Sequence, residues 1–80
     1  MSEYSTSDTA VAAALVVSGL PVVSLGQEKR GKVLFNFDDT DELKQTMNDF
    51  WGHKLMVDPL AYSQQLKQLK GRVHDSQRNL

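Results

Sequence analysis

The chain has 80 residues, no cysteine and a formal net charge of −1, so it can form one small domain but no disulfide framework and no thiolate metal site. Its hydrophobic share of 40 % and charged share of 24 % are those of an ordinary globular protein. The apolar run at residues 10–17 is too short to span a membrane, and no basic segment precedes it as in a signal peptide. We therefore expect no membrane association.

The first 20 residues predict a flexible start followed by a buried helix. Residues 1–5 are polar, which is typical of a flexible N-terminus. The helix is predicted to begin behind a hydroxyl cap at residues 6–7, with Asp8 in its first turn. The run 9–18 is apolar nearly all round, so this helix should be buried on most sides. Gly19 can take the left-handed conformation that ends a helix, and the proline that follows prevents its continuation.

A β-hairpin is predicted next. Residues 21–25 are short and β-branched, residues 26–31 form a polar loop bracketed by glycines, and residues 32–37 alternate as a second strand. Three apolar side chains of the second strand share one face and should pack on the helices: Val33, Phe35 and Phe37. Two strands alone are marginally stable, so either helices must cover this hairpin or a second copy of the chain must extend it.

The second helix is predicted to begin in the acidic run 38–42 and to end at Gly52. Asp39 and Glu42 have capping-box spacing, and the other acidic residues suit the positive end of the helix dipole. Its apolar stripe is Leu43, Met47, Phe50 and Trp51.

The third helix is predicted to begin at Asp58-Pro59, where the carboxylate caps the helix and proline occupies the first position. Gly71 predicts fraying from that point, and residues 74–80 read as a flexible tail. The predicted fold class is therefore α+β. The predicted order is a helix, a two-stranded antiparallel hairpin and two further helices, with the helices packed on one face of the hairpin. Residues 6–73 are expected to form this single domain.

No pattern in the sequence supports catalysis, a metal or a cofactor. His53 and His74 lack ligand-type partners at the spacing a zinc site requires. The acidic run 38–42 lacks the order of ligands of a calcium loop, and its place at a helix start already explains its charge. There is no phosphate-binding glycine loop and no nucleophile elbow. We expect a protein that is not an enzyme and has no cofactor.

Two apolar side chains and the strand edges suggest partner binding. Trp51 follows Phe50 on the same helix and is expected to be either the end of the core stripe or a half-covered anchor for a partner. Leu34 points to the hairpin face opposite Phe35. With the free strand edges, it suggests a homodimer or a partner held by strand pairing.

Nucleic-acid binding is the alternative. The basic residues Lys29, Arg30 and Lys32 lead into a strand with two phenylalanines, an arrangement that resembles platforms for single-stranded nucleic acid. Those phenylalanines are also the best candidates for the core, and a net charge of −1 does not favour a dedicated nucleic-acid binder. Charge is uneven along the chain, acidic at 38–49 and basic at 59–80, which also allows head-to-tail self-association.

The chain resembles a known protein family in the order and spacing of several segments, and no single motif carries the match. This order runs from Tyr4–Ala10 through Gly19 and residues 33–37 to Phe50-Trp51-Gly52 and residues 57–62. Over about residues 4–73 the chain resembles a family of small bacterial, archaeal and phage proteins whose domain has no assigned function. The resemblance implies a phage or mobile-element setting and a cytoplasmic location, with a host or phage protein as partner, and it brings no catalytic residues.

Overall fold

The computed structural model describes residues 2–27 and 31–78, with side chains through residue 75. Its elements in chain order are β1 (Glu3–Thr6), α1 (Thr9–Val17), β2 (Ser24–Gln27), β3 (Val33–Asp38), α2 (Asp41–Trp51) and α3 (Pro59–Arg78). The strands form an antiparallel sheet in the order β1-β3-β2. The α+β class is therefore confirmed, with a third strand that the sequence did not predict. No helix in the described ranges has the length and apolarity to cross a bilayer.

The additional strand comes from the N-terminal segment that was expected to be flexible. Residues Glu3–Thr6 pair with β3, and Tyr4 lies opposite Phe37. The predicted hairpin is present as β2 and β3, and β1 adds a third strand to it. The sequence did not indicate β1, because a strand with a single large apolar residue gives little local signal. Its backbone hydrogen bonds come from a segment about 30 residues further along the chain. The first hairpin strand also begins later than predicted, at Ser24 instead of residue 21.

The residue that caps the start of α1 differs from the prediction, which placed a hydroxyl cap at residues 6–7. The end of α1 agrees with the prediction. Asp8 is itself the N-cap, because its carboxylate accepts hydrogen bonds from the N–H groups of Ala10 at 2.9 Å and Val11 at 3.4 Å. At the other end Gly19 has a φ of +96°. The N–H of Leu20 donates to the carbonyl of Leu15 at 3.0 Å, which closes the helix end as a Schellman motif.

The other two helices begin at short polar caps. Thr40 caps α2, since its hydroxyl accepts from the N–H of Leu43 at 3.1 Å, so the predicted capping role of Asp39 was wrong. The carboxylate of Asp58 accepts from the N–H of Ala61 at 2.9 Å, as predicted for α3. This helix continues to Arg78, beyond the predicted fraying point at residue 71.

The core lies between the sheet and the three helices. The side chains of Phe35 and Phe37 are 0 % and 1 % exposed, and five consecutive residues of α1 are buried, 11–15. The hydroxyl of Tyr62 on α3 donates to the carbonyl of Ala10 at 3.1 Å and so joins α3 to α1. The predicted inward face of β3 is confirmed.

The opposite face of the sheet carries small polar groups linked across all three strands. The hydroxyl of Ser5 on β1 donates to the Oδ1 of Asn36 at 2.6 Å, and the Nδ2 of Asn36 donates to Ser24 on β2 at 3.0 Å. Because this face presents exposed or half-buried residues, the domain has two layers, with its helices on one side of the sheet.

Candidate functional site

An open cavity of about 360 Å³ lies where α1 meets the α2–α3 connection. Its lining residues are Ala14, Phe50, His53, Leu55, Val57 and Tyr62. Five of these are apolar or aromatic, and the phenol of Tyr62 already donates its hydrogen bond to the backbone of α1. The cavity therefore suits an apolar group, with His53 as the polar side chain that could orient it.

The backbone that forms one side of the cavity is held in an unusual conformation. His53 has a φ of +60°, and it is the one residue other than glycine with a positive φ among those described. Gly52, the predicted stop of α2, has a φ of −83° and is the C-cap, so the left-handed position falls on the histidine that follows. The N–H of Lys54 donates to the carbonyl of Asp49 at 2.8 Å, which fixes this turn. The turn helps to place residues 53–57 beside the cavity.

Large apolar side chains are exposed along the same connection. The exposed fractions are 61 % for Trp51, 92 % for Met56 and 65 % for Leu60. The ring of Trp51 packs edge-on against Phe50, with 5.0 Å between centroids and an interplanar angle of 89°. We call these three residues and the cavity beside them the turn patch. Within the described ranges, it brings together most of the exposed large hydrophobic residues in a ten-residue stretch.

The structure separates the residues that the sequence singled out. Trp51 lies at the end of α2 in the helical layer and is exposed, so it does not end the core stripe as a buried residue. Leu34 is half-buried on β3, where it lies opposite Gly26 in the register. Lys32 is exposed immediately before β3, whereas Lys29 and Arg30 lie outside the described residues.

The two phenylalanines of the proposed nucleic-acid platform are not available for stacking. Phe35 and Phe37 are buried beneath the helices and belong to one core cluster. A stacking platform requires aromatic faces that are open to bases. Any nucleic-acid binding by this chain would therefore depend on basic side chains such as Lys32 without these two rings.

The turn patch contains residues that sequence reasoning missed. Met56 and Leu60 were not predicted to contribute to a surface, and His53 was considered only as a metal or catalytic residue. One signal was present: if Leu55 and Val57 both face the core in an extended connector, Met56 between them must face outward. The left-handed backbone at residue 53 had no such signal, since Gly52 looked like the better candidate. No cluster of three or more potential metal ligands occurs among the residues that the structure describes.

These observations define a small two-layer α+β domain with an apolar cavity beside exposed aromatic and aliphatic side chains. The chain matches the family model described as Domain of unknown function (DUF5659) over residues 1–75, and it belongs to that family. This confirms the resemblance to an uncharacterised family. Searches of curated proteins and of solved structures find no match.

Proposed function

We propose that this protein is a non-enzymatic protein-interaction module and that the turn patch is its docking surface. The proposal includes a phage or prokaryotic accessory role in the host cytoplasm, with a host or phage protein as partner and a homodimer as the working form. The observation that carries it is the grouping of Trp51, Met56 and Leu60, each more than half exposed, beside an open apolar cavity.

The composition of the patch supports a role in protein binding. Interface centres are enriched in aromatic residues and methionine and depleted of charge. Between residues 50 and 66 the only formally charged side chains at pH 7, with histidine neutral, are Lys54 and Asp58. A cavity of about 360 Å³ lies within the usual range of roughly 300–1,000 Å³ for binding pockets. It is large enough to take a bulky apolar side chain as an anchor, which is how binding hot spots commonly work.

A capture experiment with two matched variants tests the proposal. Leu60→Lys places a charge in the turn patch, and Val23→Lys makes the same kind of change at another exposed site, where the side chain is 46 % exposed. Tagged wild type, Leu60→Lys and Val23→Lys are used to retain proteins from a prokaryotic host lysate, and retained proteins are identified by mass spectrometry. We expect a specific protein that binds wild type and Val23→Lys but is lost with Leu60→Lys.

The purified partner is then titrated into labelled protein. Amide resonances of residues 50–62 should shift, and Leu60→Lys should weaken binding about tenfold or more, because binding would bury an unpaired charge. Shifts confined to the sheet would contradict the docking surface. Equal binding by all three proteins would contradict it as well.

The nucleic-acid alternative has a separate outcome in the same experiment. If the retained material is nuclease-sensitive and Lys32→Ala or the Lys29/Arg30 double alanine abolishes retention, the basic segment is the binding element. A gel-shift assay at about 50 mM salt measures this directly, because phosphate contacts are strongest at low salt. The exposure of Lys32 permits this mode, but the burial of the two phenylalanines gives it less support than the turn patch has.

A further inference from the structure

We infer that the turn patch docks a second copy of this chain across a two-fold axis, with Trp51 of each protomer entering the cavity of the other. The inference rests on the proposed function and names a second copy as the occupant of the same surface, so a host or phage protein that docks there must displace that copy. It places the dimer contact in the helical layer and not at the strand edges of the sheet.

The first argument is that an exposed aromatic side chain and a cavity lie on one patch. A two-fold interface uses the same surface from both protomers, so that surface must supply both the inserting group and the site that receives it. Trp51 is 61 % exposed, and its ring packs edge-on against Phe50, which lines the cavity. The inserting ring and the receiving cavity are thus separated by a single aromatic side chain, and each protomer supplies both.

The second argument is charge complementarity of the patch with itself. Lys54 and Asp58 are both exposed and flank Met56 at equal distances along the chain. A two-fold rotation reverses the order of the two charges, so that the cation of one protomer can face the anion of the other. Residues 55–57 between them carry no formal charge at pH 7, so a second copy meets no like-charge repulsion there.

The third argument compares the patch with the sheet edge as a dimer contact. The two edge strands, β1 and β2, have only four residues each, and the exposed apolar residues at β2, Val23 beside it and Leu25 within it, are 46 % and 37 % exposed. Short edge strands are poor templates for pairing. Trp51, Met56 and Leu60 are each more exposed than either of these, so burying them removes more apolar surface from water.

The apolar surface of the patch can be compared with the area that a dimer interface buries. A standard interface buries about 800 Å² on each partner, against a total accessible surface of 5592 Å² for this chain. A tryptophan presents up to roughly 250 Å², so at 61 % exposure Trp51 alone offers about 150 Å². Met56, Leu60 and the uncharged first turns of α3 extend this surface.

Trp51 is the single tryptophan of the chain and therefore reports on its own burial. Sedimentation equilibrium is measured on the full-length protein over a range of concentrations, with tryptophan emission recorded on the same samples. We expect a monomer–dimer equilibrium and a shift of the emission to shorter wavelength that follows the dimer fraction. A dimer whose emission does not change with concentration would overturn the insertion of Trp51.

Two pairs of variants locate the interface. Leu60→Lys should raise the dimer dissociation constant about tenfold or more, whereas Val23→Lys should leave it unchanged. Lys54→Glu should weaken the dimer by facing Asp58 of the partner subunit, and adding Asp58→Asn should restore part of the affinity. Asparagine caps a helix as well as aspartate does, so this change removes the charge and keeps the start of α3. Urea unfolding of each variant confirms that it is folded.

The outcomes separate this inference from the function proposed above. A monomer at all concentrations overturns the second copy as occupant, yet the interaction module still stands if a purified partner shifts residues 50–62. If Val23→Lys dissociates the dimer and Leu60→Lys does not, the contact lies at the sheet edge and the inference is wrong. If Asp58→Asn does not restore dimer affinity to Lys54→Glu, the proposed pairing of Lys54 with Asp58 across the two-fold axis is wrong.

Discussion

His53 adopts a backbone angle that glycine takes at lower free energy. A left-handed conformation costs an L-residue about 1–2 kcal/mol, less for residues such as histidine that visit it more often. We therefore expect His53→Gly to raise the free energy of unfolding by about 1 kcal/mol, because the φ of +60° becomes unstrained. Urea denaturation followed by circular dichroism measures this change.

The same substitution separates stability from binding. His53 lines the cavity, so its removal should weaken docking at the turn patch while the fold becomes more stable. His53→Asn is the control, since asparagine also tolerates the left-handed region but lacks the imidazole. If His53→Gly destabilised the domain, the strain assigned to this turn would be wrong.

Helix caps show what sequence reasoning can and cannot settle at the level of single residues. The cap of α3 was predicted correctly because Asp58 stands alone before a proline. The cap of α2 lies in a run of five polar residues, several of which can accept a hydrogen bond from the first turn. The choice of Thr40 over Asp39 depends on where β3 ends and how the chain turns, which is not a local property.

At the scale of elements, α3 continues past the glycine that was expected to weaken it. A glycine inside a helix costs about 1 kcal/mol against alanine but keeps its backbone hydrogen bond. Two residues further on, Val73 packs against the core cluster, and this contact supports the last turns. The sequence shows a valine at this position, but the balance between its packing and the cost of the glycine could be judged only from the packed structure.

Glycine-to-alanine changes at two positions should have opposite signs. A Cβ at Gly71 meets nothing within 4 Å, so Gly71→Ala should stabilise the domain by about 0.5–1 kcal/mol. A Cβ at Gly19 also meets nothing, but the φ of +96° makes alanine strained there, so Gly19→Ala should destabilise by about 1 kcal/mol or more. Thermal unfolding of both variants checks the pair. A loss of stability in Gly71→Ala would mean that the glycine has a role beyond helix propensity.

Strand β1 was the element that the sequence failed to predict. Its pattern, with Tyr4 as the one large apolar residue, does not differ from that of a flexible terminus. The strand exists because Tyr4 packs against the core cluster and because the edge of β3 offers unpaired backbone groups. The pairing partner of β1 lies about 30 residues away in the chain, whereas α1 and its end at Gly19 could be predicted from adjacent residues.

At the scale of the whole molecule, the inward face of β3 was predictable and the surface patch was largely not. Alternation alone placed Phe35 towards the helices, since strand side chains alternate between faces. The turn patch depends on how the α2–α3 connection lies against α1, and only Trp51 of its three exposed residues was singled out. Core residues can be predicted from the periodic pattern of apolar residues in the sequence. An exposed patch cannot be predicted in this way, because it consists of the side chains that remain uncovered after the elements have packed.

The two-layer architecture makes adjacent residues of β3 differ sharply in their contribution to stability. Phe35 is fully buried, so Phe35→Ala should destabilise the domain by about 3–5 kcal/mol. Leu34 is half-buried on the other face, so Leu34→Ala should cost about 1 kcal/mol or less, within the span of strand propensities. A domain of this size has about 4–12 kcal/mol in total. Phe35→Ala therefore removes a large share of it, and urea unfolding should show a midpoint far below that of Leu34→Ala.

Equal losses at the two positions would mean that both faces of the sheet are covered in solution, as in a dimer that packs through Leu34 instead of through the turn patch.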